Sequence, residues 1–191
     1  MPQTALLASR AVLRIAGPDA GPFLQGIVTQ NIEALAPGRA AFAALLTPQG
    51  KILFDFILLA AGDGFLADCD AAAAEALAKR LALYRLRAKV TIERADDLAV
   101  GAGWDGGCAE RPGGVHAFDD PRLVALGLRM IGARAAVAEA TGDGAERFYD
   151  AHRTAQGVPA FGRDFGPEEV FLTDVNYDAL NGVDYKKGCF V

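Results

Sequence analysis

Serine, histidine and cysteine are scarce in this sequence, and each scarcity excludes a kind of site. Ser9 is the only serine and does not lie in a nucleophile elbow, so a Ser-His-Asp hydrolase is excluded. The 3 cysteines lie far apart and form no CxxC pair, which argues against a disulfide framework and a four-ligand zinc site. We predict no metal site. Sparse cysteine is typical of a reducing compartment, and we predict a cytoplasmic protein.

Long apolar runs and strongly basic segments are also missing. The longest apolar run, residues 52–61, contains Asp55 and is too short to cross a bilayer. The N-terminus has neither the charged start nor the apolar core of a signal peptide. The formal net charge is −5, and the richest basic stretch, 85–89, is typical of a solvated face. We therefore expect no membrane partner and no direct nucleic-acid partner.

The pattern of apolar and polar residues predicts an α+β fold. Apolar runs predict strands and amphipathic runs predict helices, with turn residues between them. The predicted strands are 11–16, 40–46, 52–60, 65–68, 88–94, 98–103 and 122–128, and the predicted helices begin at Asp19 and cover 71–86 and 146–156. Residues 104–121 are rich in glycine, proline and aspartate, so we place a domain seam there: a first α+β subdomain over 1–103 and a second over 104–191.

A glycine-rich stretch around residue 103 has the spacing of a dinucleotide-binding loop. Gly101, Gly103 and Gly106 form the G-x-G-x-x-G pattern, but the residues after them do not predict the helix that this site needs. We interpret the stretch as a glycine-rich turn.

Asp55 interrupts the apolar run "ILFDFILL" and leaves two interpretations open. By simple alternation Asp55 points to solvent while Phe54 and Phe56 point inward. Alternatively it is a buried carboxylate, which would need a polar partner. The cluster Thr29-Gln30-Asn31 after the first helix is either a helix cap or a polar group close to Asp55.

The chain ends on "DYKKGCFV", a second candidate site. An ammonium group near a thiol lowers the thiol pKa, so Lys186 and Lys187 would activate Cys189. Gly188 lets the backbone turn tightly beside it. A chance occurrence of the tetrapeptide is the alternative.

Five stretches, taken together, carry a family resemblance. They are "LQGIVTQNI", "LLTPQGKILFDF", "LYRLRAKVTI", "GVPAFGRDF" and "LNGVDYKKGCF", and they span nearly the whole chain. In this order and spacing they resemble the YgfZ-type folate-binding proteins, relatives of the glycine-cleavage T-protein, an aminomethyltransferase. The last stretch is similar to the family signature Lys-Gly-Cys-aromatic-x-Gly-Gln-Glu, and because the chain stops inside it we expect a fragment that lacks the family's C-terminal β-rich domain.

The resemblance implies a fold, a cofactor and a set of site residues. The implied fold has split βαβ, ferredoxin-like sheet subdomains, and the implied cofactor is tetrahydrofolate. Catalytic roles fall on Cys189 and Asp55. Cofactor contacts are implied for Asp55, Asn31, Lys51, Lys187, Gly188 and Arg153.

The implied function is that of a tetrahydrofolate-binding accessory protein for iron–sulfur cluster assembly or repair. Its partners would be folate and iron–sulfur assembly or client proteins, including tRNA-modifying enzymes. Two alternatives are a glycine-cleavage aminomethyltransferase and a non-catalytic protein-interaction domain, so enzymatic turnover is left open. Phe54 and Ala155 stand where T-proteins carry acids, and Asp174 alters a third family position; these departures count against the aminomethyltransferase.

Overall fold

Two antiparallel sheets form the framework of the protein, which is described by a computed structural model over residues 3–107 and 113–188. Apolar strands bury one sheet face against the other or against helices. The strands are β1 (Gln3–Leu6), β2 (Arg10–Ala16), β3 (Ala40–Leu46), β4 (Ile52–Ala61), β5 (Gly64–Asp70), β6 (Thr91–Arg94), β7 (Leu98–Trp104), β8 (Val115–Asp119) and β9 (Leu128–Ala133). The helices are α1 (Ala20–Ile27), α2 (Ala74–Tyr84), α3 (Arg134–Thr141) and α4 (Glu146–Ala155), with short 3-10 turns at Val124–Leu126 and Leu172–Val175.

The five-stranded sheet has the order β3-β4-β5-β2-β6. The β3–β4 hairpin is confirmed, because two apolar runs flank the turn that the composition predicts. Gly50 closes that turn with a φ of +85°, a backbone conformation that favours glycine. The pairing register sets Ala44 of β3 opposite Asp55 of β4.

The four-stranded sheet has the order β1-β7-β9-β8. It combines strands from both of the sequence ranges that we assigned to subdomains, and the division at residue 103 stays a prediction. Gly101 and Gly103 lie within β7 rather than in a turn. A Cβ at Gly101 would come within 2.9 Å of Thr141 and Val137, so this glycine lets α3 pack closely on the sheet.

All three predicted helices are present, and the structure adds α3. Helix α4 ends one residue earlier than predicted, and α2 is shorter than the predicted 71–86. Asp70 Oδ1 accepts a 3.0 Å hydrogen bond from the Ala73 amide just before α2, as a capping residue does. Helix α1 follows Asp19, but its carboxylate accepts from the Lys89 amide at 2.7 Å instead of capping the helix. Within the described residues no helix is long and apolar enough to cross a membrane.

The predicted strand over 122–128 is wrong. Residues 124–126 form a 3-10 turn, Val124 is 90% exposed, and strand β9 begins only at Leu128. Gly127 has a φ of +75°, which breaks the extended backbone inside this apolar run. Strands β1 and β8 and helix α3 were not predicted.

Candidate functional site

Asp55 is buried, so the solvent-facing interpretation from simple alternation is wrong. Only 5% of its surface is exposed, and strand β4 is buried along nearly its whole length. The cover comes from Tyr177, which is fully buried and donates a 2.9 Å hydrogen bond from its hydroxyl to Asp55 Oδ2. The Tyr177 ring also packs on Phe42 of β3, with 4.6 Å between ring centroids. Asp55 therefore has the polar partner that a buried carboxylate needs.

Burial controls the protonation of both groups. It raises the pKa of Asp55, while Arg10, the Tyr177 hydrogen bond and Arg122 act in the opposite direction without cancelling it. Burial and the Asp55 carboxylate together raise the pKa of Tyr177 well above its usual value. Tyr177 is therefore a neutral donor, and Asp55 is a carboxyl group suited to holding or releasing a proton at less acidic pH than usual.

The segment 181–187 is fastened to the residues that follow α1. The Thr29 hydroxyl, fully buried, donates to the Gly182 carbonyl at 2.6 Å and accepts from the Ala44 amide at 2.8 Å. The Asp184 amide donates to the Thr29 carbonyl at 2.9 Å. Since Ala44 pairs with Asp55, Thr29 bonds to the residue opposite the buried carboxyl group. Thr29, one member of the polar cluster predicted near Asp55, thus connects strand β3 to the last described segment of the chain.

Lys187 closes the carboxyl end of α1. Its ammonium donates 2.6 Å hydrogen bonds to the carbonyls of Gln25 and Val28. Helix ends leave such carbonyls without intrahelical partners, and a cation there is favourable. Partial burial lowers the pKa of Lys187. Gly188 has a φ of +89° and open space where a Cβ would be, whereas Cys189 lies outside the described residues.

Arg153 lies at a different place, on α4. Its Nε donates to Asp150 at 2.7 Å, and its Nη1 donates to the Val158 carbonyl at 3.0 Å and to the Asp164 carboxylate. These bonds tie α4 to the "GVPAFGRDF" segment. The role predicted for Arg153 in folate binding remains a prediction.

Lys51 and Asn31 are separate from the Asp55–Tyr177 pair and from Arg153. The Lys51 ammonium lies 5.8 Å from the centre of the Phe171 ring, a cation–π distance. The Asn31 side chain accepts from the Ala34 amide at 3.4 Å. The predicted folate contacts thus lie at several separate places among the described residues, and their role in folate binding stays a prediction.

A cavity lined by arginines adjoins the Asp55 site. Of these arginines, the sequence predicted a functional role only for Arg153. Its volume is about 30 Å³. Arg10 and Arg122, which act electrostatically on Asp55, belong to this lining. A lone arginine between apolar residues, as in "GLRMI", is the signal that was missed. We call this space the arginine cavity; five arginines line it, namely Arg10, Arg122, Arg129, Arg153 and Arg163.

Buried ion pairs hold the inner side of the arginine cavity. Arg10 Nε lies 2.6 Å from Asp68, and Arg122 Nη2 lies 2.7 Å from Asp120. Burial disfavours the charged form of Asp120, but Arg122 and Arg129 outweigh it and lower its pKa to about 2. Asp120 is therefore ionised at neutral pH in the pair that it forms with Arg122.

Tetrahydrofolate would need more space than the arginine cavity offers. Small-molecule pockets usually measure about 300 Å³ or more, and this cavity holds about 30 Å³. Asp55 supplies a carboxyl group of the implied kind, but it does not line this cavity. The arginine cavity alone does not fit a pterin ring, and we derive no chemical step through a bound folate.

No protein-family model matches the chain. Over 209 residues it is 35% identical to the iron–sulfur cluster assembly factor IBA57, mitochondrial, of Homo sapiens, covering 97% of this chain and 59% of the human protein. It is 34% identical over 198 residues to the IBA57 homologue, mitochondrial, of Pyricularia oryzae, covering 97% of this chain and 50% of that protein. The chain thus spans between half and three-fifths of the length of these relatives.

Among solved structures, the crystal structure of glycine cleavage system aminomethyltransferase T from Bartonella henselae matches with a TM-score of 0.76. The match covers 93% of this chain and 57% of that one at 17% sequence identity, and therefore shows the fold alone. The expected α+β fold of the T-protein type is confirmed. Along the shared span the sequence is homologous to the IBA57 iron–sulfur cluster assembly factors, of the YgfZ type, and its fold is that of a glycine-cleavage T-protein aminomethyltransferase.

Proposed function

We propose that this chain acts in iron–sulfur cluster assembly as the tetrahydrofolate-binding part of an accessory protein. Homology to proteins named iron–sulfur cluster assembly factors supports the first half. The buried Asp55–Tyr177 pair supports the second, because a carboxyl group with a raised pKa is suited to the ring nitrogens of a reduced pterin.

A titration of the full-length protein with tetrahydrofolate tests folate binding. We expect saturable binding that Asp55→Asn weakens at least tenfold, because Asn keeps the shape of the side chain but not its charge. Asp178→Asn, at an exposed position, is the matched control. Absence of saturable binding, or equal affinity of both variants, would reject folate as the cofactor.

The assembly role has its own test in cells. We propose that loss of the protein lowers the activity of iron–sulfur enzymes, tRNA-modifying ones among them, and that the wild-type gene restores it. Cys189→Ala and Asp55→Asn should fail to restore it. If both restore full activity, the alternative of a non-catalytic interaction domain is favoured over ours.

The fold also supports a second candidate, an aminomethyltransferase, since the matched crystal structure carries that name. Phe54 and Ala155 replace acids of the T-protein pattern, and we rank this candidate lower. Ammonia release from a loaded lipoyl carrier, dependent on tetrahydrofolate, would reverse that order.

The cellular compartment is also a proposal. The relatives above are mitochondrial by name, while the cysteine content of this chain led us to a cytoplasmic location. Fractionation of cells expressing the full-length protein distinguishes the two.

A further inference from the structure

Arg129 lacks a complete set of hydrogen-bond partners. The side chain is 2% exposed, and neither its Nε nor its Nη1 has an acceptor among the described residues. Its Nε lies 3.3 Å from Asp68 and 3.5 Å from Asp120, without hydrogen-bond geometry to either. A buried donor without an acceptor destabilises the folded state. Arg129 lines the arginine cavity, so this is where an acceptor is missing.

The carboxylates beside Arg129 hydrogen-bond to other arginines. Asp68 Oδ1 accepts from Arg10 at 2.6 Å, and Asp120 accepts two bonds from Arg122, at 2.9 and 2.7 Å. Asp68 Oδ2, the oxygen nearest to Arg129 Nε, also lacks a hydrogen-bond partner among the described residues. Arg129 therefore has carboxylates nearby, but its Nη1 has no acceptor among the described residues.

The acids at the outer end of the cavity have other partners. Glu146 and Asp150 lie 3.0 and 3.2 Å from Arg163, and Asp70 accepts from the Ala73 amide. The side chains of Arg163, Asp150 and Glu146 are 38%, 33% and 21% exposed, so this end reaches solvent. Arg129 lines the same cavity as these exposed residues.

We propose that the arginine cavity binds a small planar oxyanion, a carboxylate or bicarbonate, against Arg129. The volume of about 30 Å³ offers room for roughly two water molecules, at about 10–15 Å³ each, which suits an anion of three or four heavy atoms. A guanidinium edge matches the paired oxygens of such an anion, and Nη1 of Arg129, which has no partner among the described residues, offers a donor at such an edge. The inference does not depend on folate binding, since Asp55 is not part of the cavity lining.

Formate and bicarbonate are the probes, added to the full chain against chloride at equal ionic strength and pH. We expect a saturable rise of the thermal midpoint with one or both probes and none with chloride or the bulkier benzoate. Arg129→Met should raise the apparent dissociation constant of the bound probe at least tenfold. Arg87→Met, which removes one positive charge at an exposed position, should leave it unchanged. The stronger of the two probes identifies the class of anion.

Equal shifts with formate and chloride would overturn the proposal, as would an unchanged response of Arg129→Met. If that variant fails to fold, the ¹³C resonance of labelled formate is followed with the wild-type protein and with Arg129→Lys. Saturable broadening that the lysine variant loses supports the site. Absence of broadening with the wild-type protein means that the cavity holds only water, and rejects it.

Discussion

The Tyr177 hydroxyl donates a hydrogen bond to the Asp55 carboxylate across 122 residues of sequence. Asp55 belongs to strand β4, and Tyr177 belongs to the last described segment of the chain, which covers the strand at this point. The proposed function rests on this pair together with the homology to iron–sulfur assembly factors and the T-protein fold. Four predictions concern the contacts around it.

Asp55→Asn should make the stability of the protein less sensitive to a rise in pH above about 4. Because burial raises the Asp55 pKa, the stabilising contribution of Asp55 is complete below about pH 4, its unfolded pKa, and is lost as pH rises through the folded value. Asparagine still accepts from Tyr177. We expect the variant to gain stability relative to wild type between pH 4 and 7 in urea unfolding, while Asp63→Asn does not. A variant that loses stability relative to wild type over this pH range contradicts the prediction.

Thr29→Val should destabilise the protein by roughly 2 kcal/mol or more, because it leaves two buried backbone groups without partners. These are the Ala44 amide and the Gly182 carbonyl. Thr29→Ser keeps the hydroxyl and should lose less than about 1 kcal/mol. Chemical denaturation measures both, and a Thr29→Val loss no larger than that of Thr29→Ser would contradict the role given to the hydroxyl.

Lys187→Met should loosen the segment 181–187. Its two hydrogen bonds to α1 carbonyls are lost, at a cost of about 1 kcal/mol. Hydrogen exchange at the Asp184 amide, which bonds to Thr29, should accelerate. Lys186→Met, one residue away and exposed, should leave exchange unchanged. Similar exchange rates in the two variants would contradict the role given to Lys187.

Asp120→Asn should cost about 3–5 kcal/mol at neutral pH, because it breaks a buried pair and strands Arg122. The wild-type pKa of Asp120 is lowered to about 2, so its contribution is complete above about pH 4 and is lost as pH falls towards 2. The gap between variant and wild type should therefore narrow in acid. A gap of constant size from pH 7 to pH 2 would mean that Asp120 does not titrate as described.

Much of the fold followed from local sequence, and the arginine cavity did not. The β3–β4 hairpin and helix α4 were predicted because their periodicity and turn residues lie within a few positions of each other. Strand β1 has 4 residues, too few for a pattern. Arg129 and Asp68 belong to different sheets, and only the packing of these sheets brings them together.

The candidate site, like the fold, could be predicted only in part from local sequence. A carboxylate in an apolar strand marked Asp55 as unusual, but its partner Tyr177 lies in a segment with no regular pattern. Lys187 was predicted to contact folate because of its place in the signature. Its bonds to Gln25 and Val28 depend on where α1 ends, which the sequence shows only within a few residues.

The Thr29 hydroxyl joins residues 153 positions apart, and this distance has a consequence for synthesis. A chain emerging from the ribosome completes all strands of the five-stranded sheet by residue 94. Asp55 then waits, uncovered, until residues 177 to 187 have been made. Contacts of such long range form late and slow folding, and the open sheet face is exposed to misassembly in the interval. We expect the nascent chain to depend most on chaperones over this stretch of its synthesis.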